Sequence, residues 1–188
     1  MDTGPMIQLL STITDLSPEF IREVNSTLKQ EFYKPRQILH AAGQTESRLY
    51  FMTRGFARNY YYDQRGDEHT VKFWEPRDIL FSYEGYYKVS SYFYTEIIQE
   101  TELITMAYTE LHDLDDKFPE ISILIKSLLL QYQHEEYEKQ NLVSLPAEER
   151  YQILRKKKPE LFQKLPIRII ASYLHMTRET LTKFIGKR

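Results

Sequence analysis

Apolar positions fall at helical spacing near both ends of the chain and in short β-rich runs through its middle. Residues 7–30 read as helix. Ser17 is placed as a side-chain N-cap, Pro18 takes the first helical position, and Phe20, Ile21, Val24 and Leu28 follow at helical spacing. From Glu31 to about Tyr108 the texture becomes that of strands. The runs at 32–33, 38–39, 49–52, 56–62, 70–74 and 95–108 are parted by turn signals at Gly43, Gly55, Asp63-Gln64-Arg65-Gly66 and Pro76-Arg77-Asp78. Turns so closely spaced, with no helix between them, predict a small antiparallel sandwich or roll. Gly43, Gly55 and Gly66 read as turn residues, with Gly66 at positive φ in a hairpin. None of them opens a helix, so none reads as a phosphate-loop glycine.

Helical spacing returns at Thr109, with a second start at Phe118-Pro119-Glu120. Ile121, Ile125, Leu128 and Tyr132 form one stripe, which serves equally as a face packed on the roll or as a seam for a partner helix. Beyond Tyr132 this helix turns strongly polar. Pro146, Pro159 and Pro166 then divide the remainder into short helices, predicted at 147–157, at 159–163 and as a last pair after Pro166.

That last pair meets the steric requirements of a helix-turn-helix over roughly 167–187. Ala171 is the small residue where the second helix crosses the first. Ile170, Leu174 and Met176 pin the turn, while Leu181 and Phe184 fall on the buried face of the second helix. His175 stands where a left-handed residue is wanted and glycine is commonest, a conformation histidine tolerates better than most. Thr177 caps the second helix. Arg178, Glu179, Thr182 and Lys183 are thereby set on its outer face as base-reading residues. Arginine can bond guanine O6 and N7, glutamate can accept from cytosine N4, and lysine can serve guanine or phosphate. Thr177, Lys187, Arg188 and the run Arg155, Lys156, Lys157, Lys158 are expected at DNA phosphates.

Charge changes the picture in the same direction. The chain's net charge is only −2, but residues 150–188 carry 11 Lys and Arg against 2 Asp and Glu, a net of +9. The rest carries 14 basic against 25 acidic residues, a net of −11. An acidic body with a basic module points to a polyanionic partner, here double-stranded DNA. There is no cysteine, which excludes disulfides, thiolate metal sites and cysteine nucleophiles and fits a cytoplasmic location. The start of the chain lacks the basic n-region of a signal peptide, and the longest apolar-rich stretch, 121–130, is broken by Ser122, Lys126 and Ser127, so no membrane association is expected.

An enzyme is the rival class, and a metal-dependent cupin its best form. That chemistry needs clustered ligands, whereas His40, His69, His112, His134 and His175 are scattered and Glu68-His69 stands alone. No nucleophile elbow, P-loop or dinucleotide fingerprint occurs either, so neither an enzyme, a cofactor nor a metal is expected. A further alternative is a ligand sensor or interaction module whose basic end does not read DNA.

Over nearly its full length the sequence resembles the cyclic AMP receptor/fumarate-nitrate regulator (Crp/Fnr) family, in the short form common in Bacteroidetes. The resemblance is carried by 32–39 (FYKPRQIL), 49–55 (LYFMTRG), 73–78 (FWEPRD), 146–151 (PAEERY) and 170–181 (IASYLHMTRETL). It implies an α+β protein in three parts. These are a cyclic-nucleotide-binding-like antiparallel β-roll (a jelly roll) with flanking helices over 1–117, a long dimerisation helix over 118–141, and a small C-terminal helix-turn-helix domain over 142–188. It also implies a transcription regulator acting as a homodimer through that helix, with Ile121, Ile125, Leu128 and Tyr132 as the dimer seam, and with RNA polymerase and an unidentified small-molecule effector as further partners.

Two departures bear on that implication. In the family's phosphate cassette a glutamate takes the ribose hydroxyl and an arginine neutralises the cyclic phosphate. Here Phe81 and Ser82 fall at the Gly-Glu positions, and Ser91, Tyr92 and Phe93 fall where Arg-Ser-Ala belongs, leaving Lys88 as the only substitute cation. A buried phosphate without a cation is costly, so cyclic AMP is not expected to bind in the family's manner. Phe81, Ser82, Tyr83, Ser90, Ser91 and Tyr92 would line a pocket for some other effector, although core packing by a roll that has lost its ligand accounts for them more simply. Few residues follow the second helix of the last pair, so the β-wing of longer relatives is expected to be absent and phosphate contacts to fall to Arg155–Lys158.

Overall fold

A computed structural model of the chain describes residues 1–186. Two helices open it, α1 (Gly4–Ser11) and α2 (Pro18–Thr27). The stretch expected as one helix over 7–30 is therefore two, and Lys29 and Gln30 already belong to a strand. Ser17 is the reason for the break. It caps α2 from an extended conformation (φ −67°, ψ 147°), its Oγ accepting from Phe20 N–H at 3.1 Å. Pro18 has no N–H to continue a helix from before it.

Eight strands follow: β1 (Lys29–Tyr33), β2 (Ile38–His40), β3 (Arg48–Arg54), β4 (Ala57–Tyr62), β5 (Glu68–Trp74), β6 (Ile79–Leu80), β7 (Tyr94–Ile97) and β8 (Thr101–Ala107). A one-turn helix, α3 (Tyr83–Tyr86), lies between β6 and β7. The strands make two sheets, ordered β1-β8-β3-β6 and β2-β7-β4-β5. The ladders β1–β8, β3–β8, β3–β6 and β2–β7 are antiparallel. The run expected to close the series at 95–108 is two strands in different sheets, and Tyr108 starts a helix.

Two glycines show why the turns fall where they do. Gly66 (φ +84°) donates to the Asp63 carbonyl at 3.0 Å and closes the β4–β5 turn. At Gly55 (φ +105°) a Cβ would lie 2.1 Å from Thr101 Oγ1 and 2.6 Å from Thr101 Cα, so no side chain fits. Both sheets contribute to the core, with Phe51, Met52, Leu103 and Ile104 from the first and Ala57, Phe73 and Ile97 from the second.

Six helices complete the described chain: α4 (Tyr108–Asp115), α5 (Pro119–Ser144), α6 (Ala147–Lys157), α7 (Pro159–Lys164), α8 (Ile167–Tyr173) and α9 (Arg178–Gly186). Among the described residues no helix is long and apolar enough to cross a membrane. The chain forms two compact units. One comprises Met1–Asn59 and Phe73–Gln131; the other joins the β4–β5 turn region, Tyr60–Lys72, to the chain from Tyr132 onward.

Along α5 the structure turns the stripe expected as a dimer seam mostly inward. Ile121 and Leu128 are buried with Leu124, Ile125 is half-buried, and Tyr132 takes the Lys72 ammonium over its ring at 3.6 Å. The stripe is therefore mostly core. The exposed apolar row is a different one, Ile123, Leu130 and Tyr137, spaced seven residues apart.

Candidate nucleic-acid interface

The α8–α9 joint is built by backbone closure at a single left-handed residue. His175 has φ +52°. Its N–H donates to the Ser172 carbonyl at 3.1 Å, and Met176 N–H reaches back to Ala171 at 3.0 Å. This pair of bonds is the Schellman closure of a helix end, and it reverses the chain within three residues. Ile170, Leu174 and Leu181 are fully buried and Ala171 nearly so, which locks α9 across α8. Phe184 on α9 stacks on Tyr151 of α6 at 5.9 Å between centroids.

Two basic side chains close the C-terminus of α8. Arg150 Nη1 donates to the Leu174 carbonyl at 2.7 Å and to that of His175 at 3.2 Å. Lys139 Nζ donates to the Tyr173 carbonyl and lies over the Tyr173 ring. Positive groups are favoured at a helix C-terminus, where carbonyls lack partners. Lys139 is buried, and desolvation pushes its pKa down to about 7. Partial desolvation also lowers the pKa of His175, with Lys139, His69 and Arg150 adding to the effect. Neither Lys139 nor Arg150 stands out in the sequence: one lies in a polar run that reads as a solvated face, the other among many basic residues.

Thr177 caps α9 as expected, its Oγ1 accepting from Thr180 N–H at 3.2 Å. Arg178, Glu179, Thr182 and Lys183 are all exposed, and their spacing puts them on one face over the first two turns. The Thr182 hydroxyl donates to the Arg178 carbonyl at 2.8 Å, which leaves its lone pairs for an incoming donor. The basic run is less uniform than its sequence. Arg155 donates to the Tyr151 hydroxyl and lies over its ring. Lys157 pairs with Glu138 at 3.0 Å, holding that carboxyl below its usual range, while Lys156 and Lys158 are exposed. Lys187 and Arg188 lie outside the described residues.

The segment expected as an effector pocket is occupied by its own side chains. Phe81 is buried among Tyr86 and Tyr108. Ser82 caps α3, its Oγ accepting from Gly85 N–H at 3.0 Å while its own N–H donates to the Tyr108 hydroxyl at 2.6 Å. Ser91 accepts from Phe93 N–H at 3.1 Å, whereas Tyr83, Ser90 and Tyr92 are exposed. The loop before β3 closes on this segment. Gly43 N–H donates to the Ser91 carbonyl at 2.9 Å, Ser91 N–H donates to that of Gln44 at 2.8 Å, and a Cβ on Gly85 would lie 2.6 Å from the Glu46 carbonyl.

Glu46 itself is a buried carboxylate. It accepts from Ser47 N–H at 2.8 Å, Arg48 N–H at 3.1 Å and the Tyr50 hydroxyl at 3.3 Å, with His40 Nδ1 at 3.5 Å. The buried guanidinium of Arg58 is engaged by Glu96 at 2.6 and 2.8 Å. A pocket of about 400 Å³ opens nearby, lined by Tyr86, Tyr87, Lys88, Thr109, His112 and Asp113; none of the six expected residues lines it. Among the described residues no three His, Cys, Asp or Glu side chains are placed to hold a metal ion.

No protein-family model and no curated protein sequence matches the chain. Solved structures do. FixK2 from Bradyrhizobium japonicum superposes with a TM-score of 0.74 at 14% identity, over 85% of this chain and 83% of that one. CLP, described as a c-di-GMP-responsive global regulator of Xanthomonas campestris, gives 0.69 at 14% identity over 91% of each. A candidate transcriptional regulator of the Crp/Fnr family from Eubacterium rectale gives 0.74 at 16% identity, over 91% of this chain and 82% of that one. At these identities what is shared is the fold, mixed helix and antiparallel sheet.

Proposed function

We propose that this protein is a DNA-binding transcription regulator of the Crp/Fnr type. In this reading residues 142–188 form a helix-turn-helix domain with α9 as the recognition helix, 118–141 a dimerisation helix and 1–117 a jelly-roll sensor. The observation that carries it is the α8–α9 joint. A left-handed His175 and a buried Ala171 fix the crossing, and an exposed face of Arg178, Glu179, Thr182 and Lys183 projects from the capped end of α9. Such a face matches the donor and acceptor pattern of base edges in the major groove. Thr177 and Lys156 would contact phosphates beside it, joined by Arg155, Lys157 and Lys158 once their internal partners give way, and by Lys187 and Arg188. Ile123, Leu130 and Tyr137 supply an apolar row for a second copy, so that two recognition helices read a near-palindromic site one helical turn apart. The sensor does not use cyclic AMP in the family's manner, because Phe81, Ser82 and Ser91 to Phe93 take the cassette positions that call for a glutamate and an arginine, and the Arg58 guanidinium is already bonded to Glu96. An effector of other chemistry and RNA polymerase are its further partners.

The test is in vitro site selection with the full chain, followed by binding titrations over salt. The expected result is one near-palindromic site whose affinity falls steeply as salt rises. Arg178→Ala should cost about 1–3 kcal/mol on that site and relax its sequence, while Lys156→Ala should weaken all sequences alike. Absent or salt-insensitive binding overturns the reading and leaves an interaction module.

A further inference from the structure

β5 is the outer strand of its sheet, and the backbone groups along an outer edge have no neighbouring strand to pair with. Two of these groups are taken by one hydroxyl. Ser172 Oγ, on α8, donates to the Glu68 carbonyl at 2.8 Å and accepts from Thr70 N–H at 2.8 Å. A single serine thus does for the edge what a residue of an added strand would do. Beside it the Glu68 carboxylate takes Arg168 Nη1 at 2.9 Å, and His69, between the two bonded residues, meets the His175 ring edge-on at 6.0 Å. These contacts all lie within the second compact unit.

Arg168 sits in the first turn of α8 with 62% of its side chain exposed. In a helix-turn-helix the first helix crosses the DNA backbone, which directs a cation in that turn at phosphate. Resting on the DNA-binding reading above, we infer that the β4–β5 hairpin is an autoinhibitory clasp. Ser172 docks its edge on α8, and Glu68 occupies the guanidinium that would otherwise meet a DNA phosphate. Glu68 and a phosphate compete for the same donors, so the clasp lowers affinity by the strength of one partly exposed ion pair. It therefore tunes DNA binding and does not abolish it.

The test uses the full chain with Glu68→Gln, Arg168→Ala, the double variant and Ser172→Ala. Glu68→Gln should tighten DNA binding about threefold at low salt. It should also steepen the salt dependence by about one phosphate contact. Both gains should vanish in the Glu68→Gln/Arg168→Ala double variant, which should match Arg168→Ala alone. Ser172→Ala should speed exchange of the Thr70 amide about fivefold, since one hydrogen bond is lost. Unchanged or weaker DNA binding by a folded Glu68→Gln protein overturns the clasp, as does unchanged Thr70 protection in Ser172→Ala. DNA binding absent from the wild type and every variant, with Thr70 responding as expected, sinks the DNA-binding reading itself and is thereby told apart from failure of the clasp.

Discussion

The Lys139 amine donates to the main-chain carbonyl of Tyr173 and packs on the ring of that same residue, with Nζ 3.2 Å from its centroid. One side chain thus closes the end of α8 and fills the space beside it. The closure costs desolvation, because the amine lies away from water, and its pKa falls to about 7.

The unfolded chain therefore binds a proton at Lys139 that the folded chain does not, between about pH 7 and the ordinary lysine value. Stability should rise with pH across that window, at up to about 1.4 kcal/mol per unit, and the gain should disappear as pH falls through 7. Lys139→Met should remove that slope. Urea unfolding at pH 7, 8, 9 and 9.5 compares the two proteins, and parallel slopes would contradict the assignment.

His175 holds a left-handed backbone that glycine adopts without strain. His175→Gly should leave stability unchanged or raise it by up to about 1 kcal/mol, whereas His175→Val should lower it by about 1–2 kcal/mol. Thermal unfolding of both variants decides the matter.

Leu130 and Leu128 are two residues apart on α5 and do different things. Leu130 is 67% exposed and Leu128 is buried. Leu130→Asp should shift sedimentation to the monomer with the fold intact. Leu128→Ala should cost about 2–5 kcal/mol of unfolding free energy whatever the oligomeric state. A folded Leu130→Asp protein that still sediments as a dimer would remove the 123–130–137 row from the interface.

Cyclic AMP and cyclic GMP should give no heat of binding at micromolar concentration. Glu46 is buried behind α3, and the Arg58 guanidinium is already bonded to Glu96. A saturable heat abolished by Lys88→Ala would show that Lys88 supplies the missing cation after all.

What could be read from the residues follows their range of action. The α8–α9 joint was legible because its requirements are local: Ala171 at the crossing, His175 at the left-handed position and Thr177 at the cap each act within a few residues. The break before Ser17 was legible only in part, since Ser17 and Pro18 mark a helix start while the apolar spacing of 7–30 continues across it. On α5 the spacing marks one stripe, Ile121, Ile125, Leu128 and Tyr132, and nothing in the residues says whether the core or a partner takes it; the row Ile123, Leu130 and Tyr137 was missed because polar residues surround its last member. Lys139, Arg150 and Ser172 were invisible for a related reason. Each bonds to a backbone group far along the chain, and a main-chain carbonyl or amide leaves no trace in residue identity.

Arg150 and Lys139 reach the carbonyls of three consecutive residues, 173 to 175, from two different helices. A single tether would act as a pivot, but two from separate directions fix orientation as well as distance. From Lys139 onward the end of α5, α6 and the α8–α9 pair are thus braced as one block. A displacement of α8 against α6 would first have to break both tethers.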